Sequence, residues 1–322
     1  MALAGFQRMN ELGSAGEAFL FIIDFSLAGS LVLRPEEARE QGILFTFQDM
    51  TNHPVPEGSD APLVFTKYPV SFERYNRAFE KVMCHIRAGD SYLVNLTFPT
   101  PVSVSLTLPD IYRRSQAAYK LLVNDSFVVF SPEKFVTINE RMISSFPMKG
   151  TIDATLPDAE KILIANPKEL AEHHTIVDLI RNDLSMVARK VRVERFRYID
   201  RIETNFSPLL QVSSHITGEL QPDYKRHLGD IFRRILPAGS VTGAPKQRTV
   251  EIIRKTENYR RGFYTGVMGY FDGENLDSGV MIRFIEQTSA GLVYKSGGGI
   301  TSFSDASEEY EEMIAKVYVP FI

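Results

Sequence analysis

The chain has 322 residues, 44% of them hydrophobic and 24% charged, with a formal net charge of −4. This is the composition of a globular protein able to bury a sizeable core, and with no Lys/Arg block it argues against nucleic-acid binding. The single cysteine, Cys84, excludes an internal disulfide and a cysteine-built metal cage, and suits a reducing compartment.

No stretch approaches the roughly 18 apolar residues of a membrane span. The early apolar run 19–23 lacks the charged start and small-residue cleavage site of a signal peptide, so a cytoplasmic location away from membranes is expected. FLFIIDF (19–25) reads as a buried strand and 43–47 as another. TNHPVPEGSDAP (51–62) is rich in turn formers and reads as a surface loop. It sets off a short N-terminal segment, 1–65, packed on a main body, 66–322, which is expected to form one compact unit.

From Phe72 the apolar positions 72, 75, 79, 82, 83 and 86 have helical spacing, and Gly89 ends that helix; Cys84 lies inside it and is assigned to packing. SYLVNLTF (91–98) reads as a strand, with further strand-like runs at 126–136 and 142–149 and a helix from about 157. Asn166-Pro167-Lys168-Glu169 is a helix start, with Asn166 as cap, Pro167 where its missing N–H costs nothing, and Glu169 at the capping-box position. Strands and helices mix without regular βαβ alternation. The expected class is therefore α+β, with antiparallel β-sheets in a sandwich covered by helices.

Two acidic patterns stand out. Glu169 and Glu172 share one helix face, and SDASEEYEEMIAK repeats the spacing with Glu309 and Glu312 behind a capping Asp305. Facing each other, the pairs would suit Mg²⁺, which takes a few carboxylates plus waters and substrate oxygens. Either pair by itself also fits a solvated helix face, and periodicity alone does not bring the two together. Glycine-rich turns come next. LPAGSVTGAPKQ (236–247) and KSGGGITSFSD (295–305) each precede a helix, an arrangement that favours an anionic small molecule, although neither has the spacing of a nucleotide fingerprint.

PMKGT (147–151), EHHTIVDLIRNDL (172–184), LPAGSVTGAPKQRTVEII (236–253), RGFYTGVMGYF (261–271), Ile-Arg (282–283) and GGGITSFSDASEEYEEMIAK (297–316) occur in the order and approximate spacing of the chorismate-utilising enzymes. The chain resembles that family over about residues 70–320. The resemblance implies a chorismate-binding fold in which the two acidic helices converge on one Mg²⁺. Glu172 and Glu312 are then the direct ligands, with Glu169 and Glu309 beside them. It further implies that Tyr264, Arg283, Lys316 and the backbone of Gly297, Gly298 and Gly299 contact substrate. Gly239, Ser240 and Thr242 would surround its enolpyruvyl side chain.

Within the family, Lys149 in PMKGT is similar to the lysine of the aminodeoxychorismate synthases, where anthranilate synthases carry alanine. That implies a covalent step by Lys149 as a neutral amine, its pKa lowered by nearby Mg²⁺ and partial desolvation, and an acid/base role for Glu133 in SPEKF. Leu93 replaces the lysine of the water-adding relatives, and Gln211 replaces a histidine linked to anthranilate formation. His215, four residues on, is read as structural, and Asn95 matches the aminodeoxychorismate branch without an assigned role. The reaction expected is amination of chorismate at ring carbon 4, with an anthranilate synthase component as the nearest alternative and a non-catalytic chorismate-binding subunit as the other. Its ammonia is expected from a separate glutamine amidotransferase subunit or from solution, because the chain shows no activated cysteine for that chemistry.

Overall fold

The computed structural model describes residues 2–54, 61–202 and 208–321, so part of the 51–62 loop expected from sequence lies outside the described residues. Among these residues the strands form two nine-stranded sheets, and every strand pairing in both is antiparallel.

The first sheet runs Met148–Asp153, Leu209–Glu219, Met142–Ser145, Lys134–Asn139, Leu276–Val280, Val267–Phe271, Phe19–Ile23, Ser30–Leu33, with Arg189–Ile202 also paired to Leu209–Glu219. The second runs Gly243–Ala244, Leu93–Val104, Gly291–Ile300, Phe284–Thr288, Phe127–Ser131, Tyr119–Val123, Ile43–Phe47, Met50–Thr51, with Phe65–Lys67 beside Leu93–Val104. The first 54 residues therefore supply strands to both sheets.

Strand alternation sorts the core into layers. Leu20 and Ile22 pack with Phe45, Leu121, Val129 and Phe284 between the sheets. Phe19, Phe21 and Ile23 turn the other way, onto Phe6 and Met9 of helix Ala2–Ala15 and Phe232 and Ile235 of helix Leu228–Ile235. On the far side of the second sheet, Val128 and Phe130 meet Ile111 and Tyr112 of helix Leu108–Arg114. Each fully buried side chain of this kind contributes about 1.5–3 kcal/mol relative to exposure.

Helix Phe72–Arg87 follows its sequence pattern. Ser71 caps it by accepting from Arg74 N–H, and Tyr75, Ala78, Phe79, Val82, Met83 and Ile86 form the buried stripe. Cys84 falls off that stripe and is exposed, which corrects the packing role expected for it. The stripe packs with helices Lys246–Thr256 and Ala306–Ala315 over Val94, Leu96 and Phe98. Asp305 caps the last helix by accepting from the N–H groups of Ser307 and Glu308. Asn166 Oδ1 accepts from Glu169 N–H at the start of helix Pro167–Ser185. Among the described residues no helix is long and apolar enough to cross a membrane.

Gly297, Gly298 and Gly299 do not form a turn. They lie in strand Gly291–Ile300, opposite Thr97, Leu96 and Asn95. A side chain at Gly297 would put its Cβ 2.2 Å from the Leu96 carbonyl oxygen, so glycine is what lets the strand approach this closely.

Candidate active site

The chain crosses from one sheet to the other in two places that meet at one cleft. Pro132-Glu133 links Phe127–Ser131 of the second sheet to Lys134–Asn139 of the first, and Ile282-Arg283 links Leu276–Val280 back to Phe284–Thr288. Arg283 sits at φ 52° and Thr265, also in the cleft wall, at φ 60°, a left-handed backbone that costs an ordinary residue on the order of 1–3 kcal/mol. A cavity of about 280 Å³ opens there, lined by Glu133, Lys149, Gly239, Ser240, Tyr264, Arg283, Gly297, Gly298, Gly299 and Lys316 among others. Ten of the residues expected from sequence are thus gathered around one space.

Lys149 reaches the cleft from a bulge. The pairing of Met148–Asp153 with Leu209–Glu219 shifts register between Lys149 and Thr151, where Gly150 adopts φ 72°. A bulge bends the strand and re-aims the side chain beside it, and glycine takes the positive φ without strain. Lys149 Nζ donates to Glu172 Oε2 at 3.1 Å, its side chain 28% exposed and that of Glu172 8%. The same Nζ is 3.8 Å from the Cβ position of Gly299. Burial disfavours the ammonium, but Glu172, Glu169 and Glu312 outweigh it and hold the lysine above its ordinary pKa. Of the two causes expected from sequence to lower it, burial acts in that direction but is outweighed by the carboxylates, and Mg²⁺ is the other.

Glu133 behaves oppositely. Burial raises its pKa, against the opposing pull of a hydrogen bond from Ser240 and the charges of Lys149, Lys316 and Arg283. Ser240 Oγ donates to Glu133 Oε1 at 2.5 Å. Lys316 Nζ pairs with Glu312 Oε1 at 2.6 Å and donates to Gly297 O at 2.9 Å, while Arg283 donates to Lys316 O at 3.1 Å. Partner strand Phe284–Thr288 pairs only over 291–295, so among the described residues no strand covers one edge of Gly297–Gly299, which line the cleft.

The four glutamates do not line the cavity; they adjoin it through Lys149, Lys316 and Gly298. Glu169 Oε2 lies 3.1 Å from the Cβ position of Gly150, and Glu309 Oε2 lies 3.2 Å from that of Gly298. Glu309 accepts from Ser304 at 2.7 Å. The two acidic helices thus converge on the two lysines. Among the described residues no three Asp, Glu, His or Cys side chains stand close enough to share one ion. The donor set still suits Mg²⁺, which needs only one or two carboxylates when water and substrate oxygens complete its octahedron.

Thr242 is not part of the wall. It is fully buried and its hydroxyl donates back to Ala238 O at 2.9 Å, shaping the turn. His215 stacks on Phe146 at 4.6 Å; Phe146 lines the cavity and His215 does not. Gln211, Leu93 and Asn95 all line it. Sequence reasoning missed Asp183, Lys295 and Thr265, which also stand in the wall. It missed Arg261 too, a 3%-exposed hub that donates to Glu257, Asn95 O and Val241 O. Glu257 and Arg261 lie just beyond helix Lys246–Thr256, where no periodicity marks them, so no local signal pointed to the pair.

Residues 29–321 match the family model described as chorismate binding enzyme. A Haemophilus influenzae protein named as an uncharacterized PabA-like protein is 48% identical over 317 residues, covering 98% of this chain and 95% of that one. Aminodeoxychorismate synthase component 1 of Bacillus subtilis is 34% identical over 265 residues, 78% of this chain and 55% of that protein, so the match spans about half of that relative. Among solved structures, anthranilate synthase component I from Streptococcus pneumoniae superposes with a TM-score of 0.65 at 25% identity, over 80% of this chain and 59% of that one.

Proposed function

Because this chain belongs to the chorismate-binding enzyme family, we propose that it acts as an aminodeoxychorismate synthase component I, replacing the 4-hydroxyl of chorismate by an amino group. The observation that carries the reading is the placement of Lys149 and Glu133 in one cleft, the amine beside Gly299 and the carboxyl held by Ser240.

Chorismate carries two carboxylates. Arg283 and Lys316, with the open edge of Gly297–Gly299 between them, supply the charge and the N–H groups to hold an anion. Bound this way, the ring lies between Lys149 and Glu133. The lysine first gives up its proton to solvent, and its nitrogen then forms a bond to ring carbon 2. Both ring double bonds shift and the carbon 4–oxygen bond breaks, the oxygen leaving as water with a proton from Glu133. Ammonia next forms a bond to carbon 4 and gives its extra proton to the Glu133 carboxylate, while both double bonds shift back and the carbon 2–nitrogen bond to Lys149 breaks, releasing the neutral amine. The products are 4-amino-4-deoxychorismate and water. Covalent participation splits one difficult displacement into two easier ones.

Glu172 and Glu312 would hold Mg²⁺, with Glu169 and Glu309 beside them through water. Bound there, the ion would carry the ring carboxylate and offset the carboxylate charge that keeps Lys149 protonated. Ammonia is assigned to a separate glutamine amidotransferase subunit.

The likeness to an anthranilate synthase component I favours a second reading, amination at ring carbon 2. Incubating the protein with chorismate, Mg²⁺ and ammonium salt separates the two. The expected result is a non-fluorescent product that yields 4-aminobenzoate only when a lyase is added. Fluorescent anthranilate formed without lyase would reject the first reading.

A further inference from the structure

The segment that carries Ser240 has little regular structure of its own. The short turn Gly239–Val241 follows a helix ending at Ile235 and precedes the short strand Gly243–Ala244. Yet Ser240 must stand within hydrogen-bonding distance of Glu133, in the same cleft as Lys149. Something has to fix that turn.

Lys246 Nζ donates to Asp183 Oδ2 at 2.7 Å and to Ile235 O at 2.6 Å, so it grips both the helix Pro167–Ser185 and the chain leading into the turn. The pair is nearly dry, with the two side chains 14% and 8% exposed. Asp183 follows Glu172 along one face of that helix, with Ile176 and Leu179 between them at helical spacing. The turn itself rests on this face: a Cβ at Gly239 would lie 2.8 Å from Leu179 Cδ2 and 3.3 Å from Asp183 Oδ2. The helix that presents Glu172 to Lys149 therefore also anchors the turn that presents Ser240 to Glu133.

A buried ion pair is a poor way to gain stability, because desolvation cancels much of the attraction and a well-packed apolar pair does as well or better. What it supplies is geometry, since a lysine with two acceptors at fixed positions locks the segment in one place. We infer that Asp183 and Lys246 are positioning residues, which dock the Gly239–Val241 turn on the helix Pro167–Ser185 and thereby hold the Ser240 hydroxyl on Glu133. This rests on the acid/base role proposed for Glu133. On this inference the clamp acts on catalysis through Ser240 more than through Gly239 or Asp183, which also line the cavity, so its loss and the loss of the hydroxyl should be largely the same event.

The test is a double-mutant cycle between K246M and S240A, read as chorismate consumed per enzyme, with thermal melts alongside. Each single variant should lower kcat about tenfold. The double variant should fall no further than the lower single, while Tm drops with K246M and not with S240A. Effects that multiply, to about a hundredfold in the double, would show a merely structural pair and overturn the inference. If K246M fails to fold because Asp183 is left as a lone buried charge, D183N/K246M takes its place in the same cycle. Counting chorismate rather than product keeps the two conclusions apart, because anthranilate as product would sink the proposed reaction and leave the cycle readable. The chorismate dissociation constant in ammonia-free buffer gives a second cycle, which must show the same coupling even where turnover is absent.

Discussion

At one end of the cleft Lys149 keeps its charge, because Glu172, Glu169 and Glu312 together outweigh burial. At the other, burial at Glu133 outweighs the Ser240 hydrogen bond and the charges of Lys149, Lys316 and Arg283, and drives the carboxyl toward its neutral form. Both groups stand in the wall of the same cavity, so depth alone does not decide the outcome. What differs is the neighbourhood. Lys149 touches its partner carboxylate at 3.1 Å, whereas the nearest contact of Glu133 is a neutral hydroxyl. A direct opposite charge is worth more than several at a distance. The carboxylates thus favour the charged amine, and burial pushes the carboxyl toward the form that can give a proton.

The largest expected effect comes from breaking the charged end. K149A should lower turnover by roughly three orders of magnitude or more, as loss of a covalent nucleophile does, with chorismate binding largely kept. Steady-state kinetics and intact-protein mass spectrometry check it, since wild type mixed with chorismate and no ammonia should carry an adduct that K149A lacks. Turnover within a few-fold of wild type would end the covalent mechanism. Breaking the neutral end should cost less. E133Q keeps the shape but has no proton to give, and a lost general acid costs on the order of a hundredfold. Adduct formation should slow by the same factor as overall turnover. An adduct forming at the wild-type rate would move Glu133 out of the acid role.

A smaller change sharpens the contrast without removing either group. Ser240 donates to the Glu133 carboxylate, which favours the ionised form. In S240A that support is gone, so the Glu133 carboxyl should ionise at higher pH than in wild type. Infrared difference titration referenced to E133Q reads this directly. An unmoved or lowered ionisation would mean that the hydroxyl does not act on the carboxylate.

Much of this frame could be read from the chain, and the failures have physical causes. Helix Phe72–Arg87 and the capped starts at Asn166 and Asp305 announce themselves because their signals are local, in periodicity and a cap within a few residues. Gly297–Gly299 misled for the opposite reason. Three glycines erase the alternation that marks a strand, and only the opposing Leu96 and Thr97 backbone explains why no side chain fits there. Helix Ala2–Ala15 has neither an acidic first turn nor a basic last one, and it went unread. The sign of the Lys149 shift was hidden as well, since it depends on carboxylates brought from two helices whose spacing carries no record of their meeting. The site residues were found by resemblance, whereas the Asp183–Lys246 pair, 63 residues apart in the chain, left no local trace.

The smallest effect is invisible at neutral pH and tests whether burial, aided by neighbouring positive charges, sets a charge state beside the carboxylates. His173 follows Glu172 on the same helix, is 1% exposed, and shares a 2.6 Å hydrogen bond with Ser214. Burial, helped by Arg197, His174 and Lys149, lowers its pKa from 6.5 to about 4. The folded protein therefore holds this imidazole neutral where the unfolded chain would protonate it. Its contribution to stability is fully present above pH 6.5 and is lost as pH falls from there toward 4, amounting to about 3 kcal/mol over that window. Urea unfolding of wild type and H173Q at a series of pH values isolates it, because other titrating groups cancel in the difference. Wild type should lose stability relative to H173Q only below about pH 6.5. If the two proteins weaken in parallel, His173 takes up its proton in the folded state. The neighbouring carboxylates would then govern this residue as they govern Lys149, and the contrast between the two ends of the cleft would reduce to distance from those carboxylates.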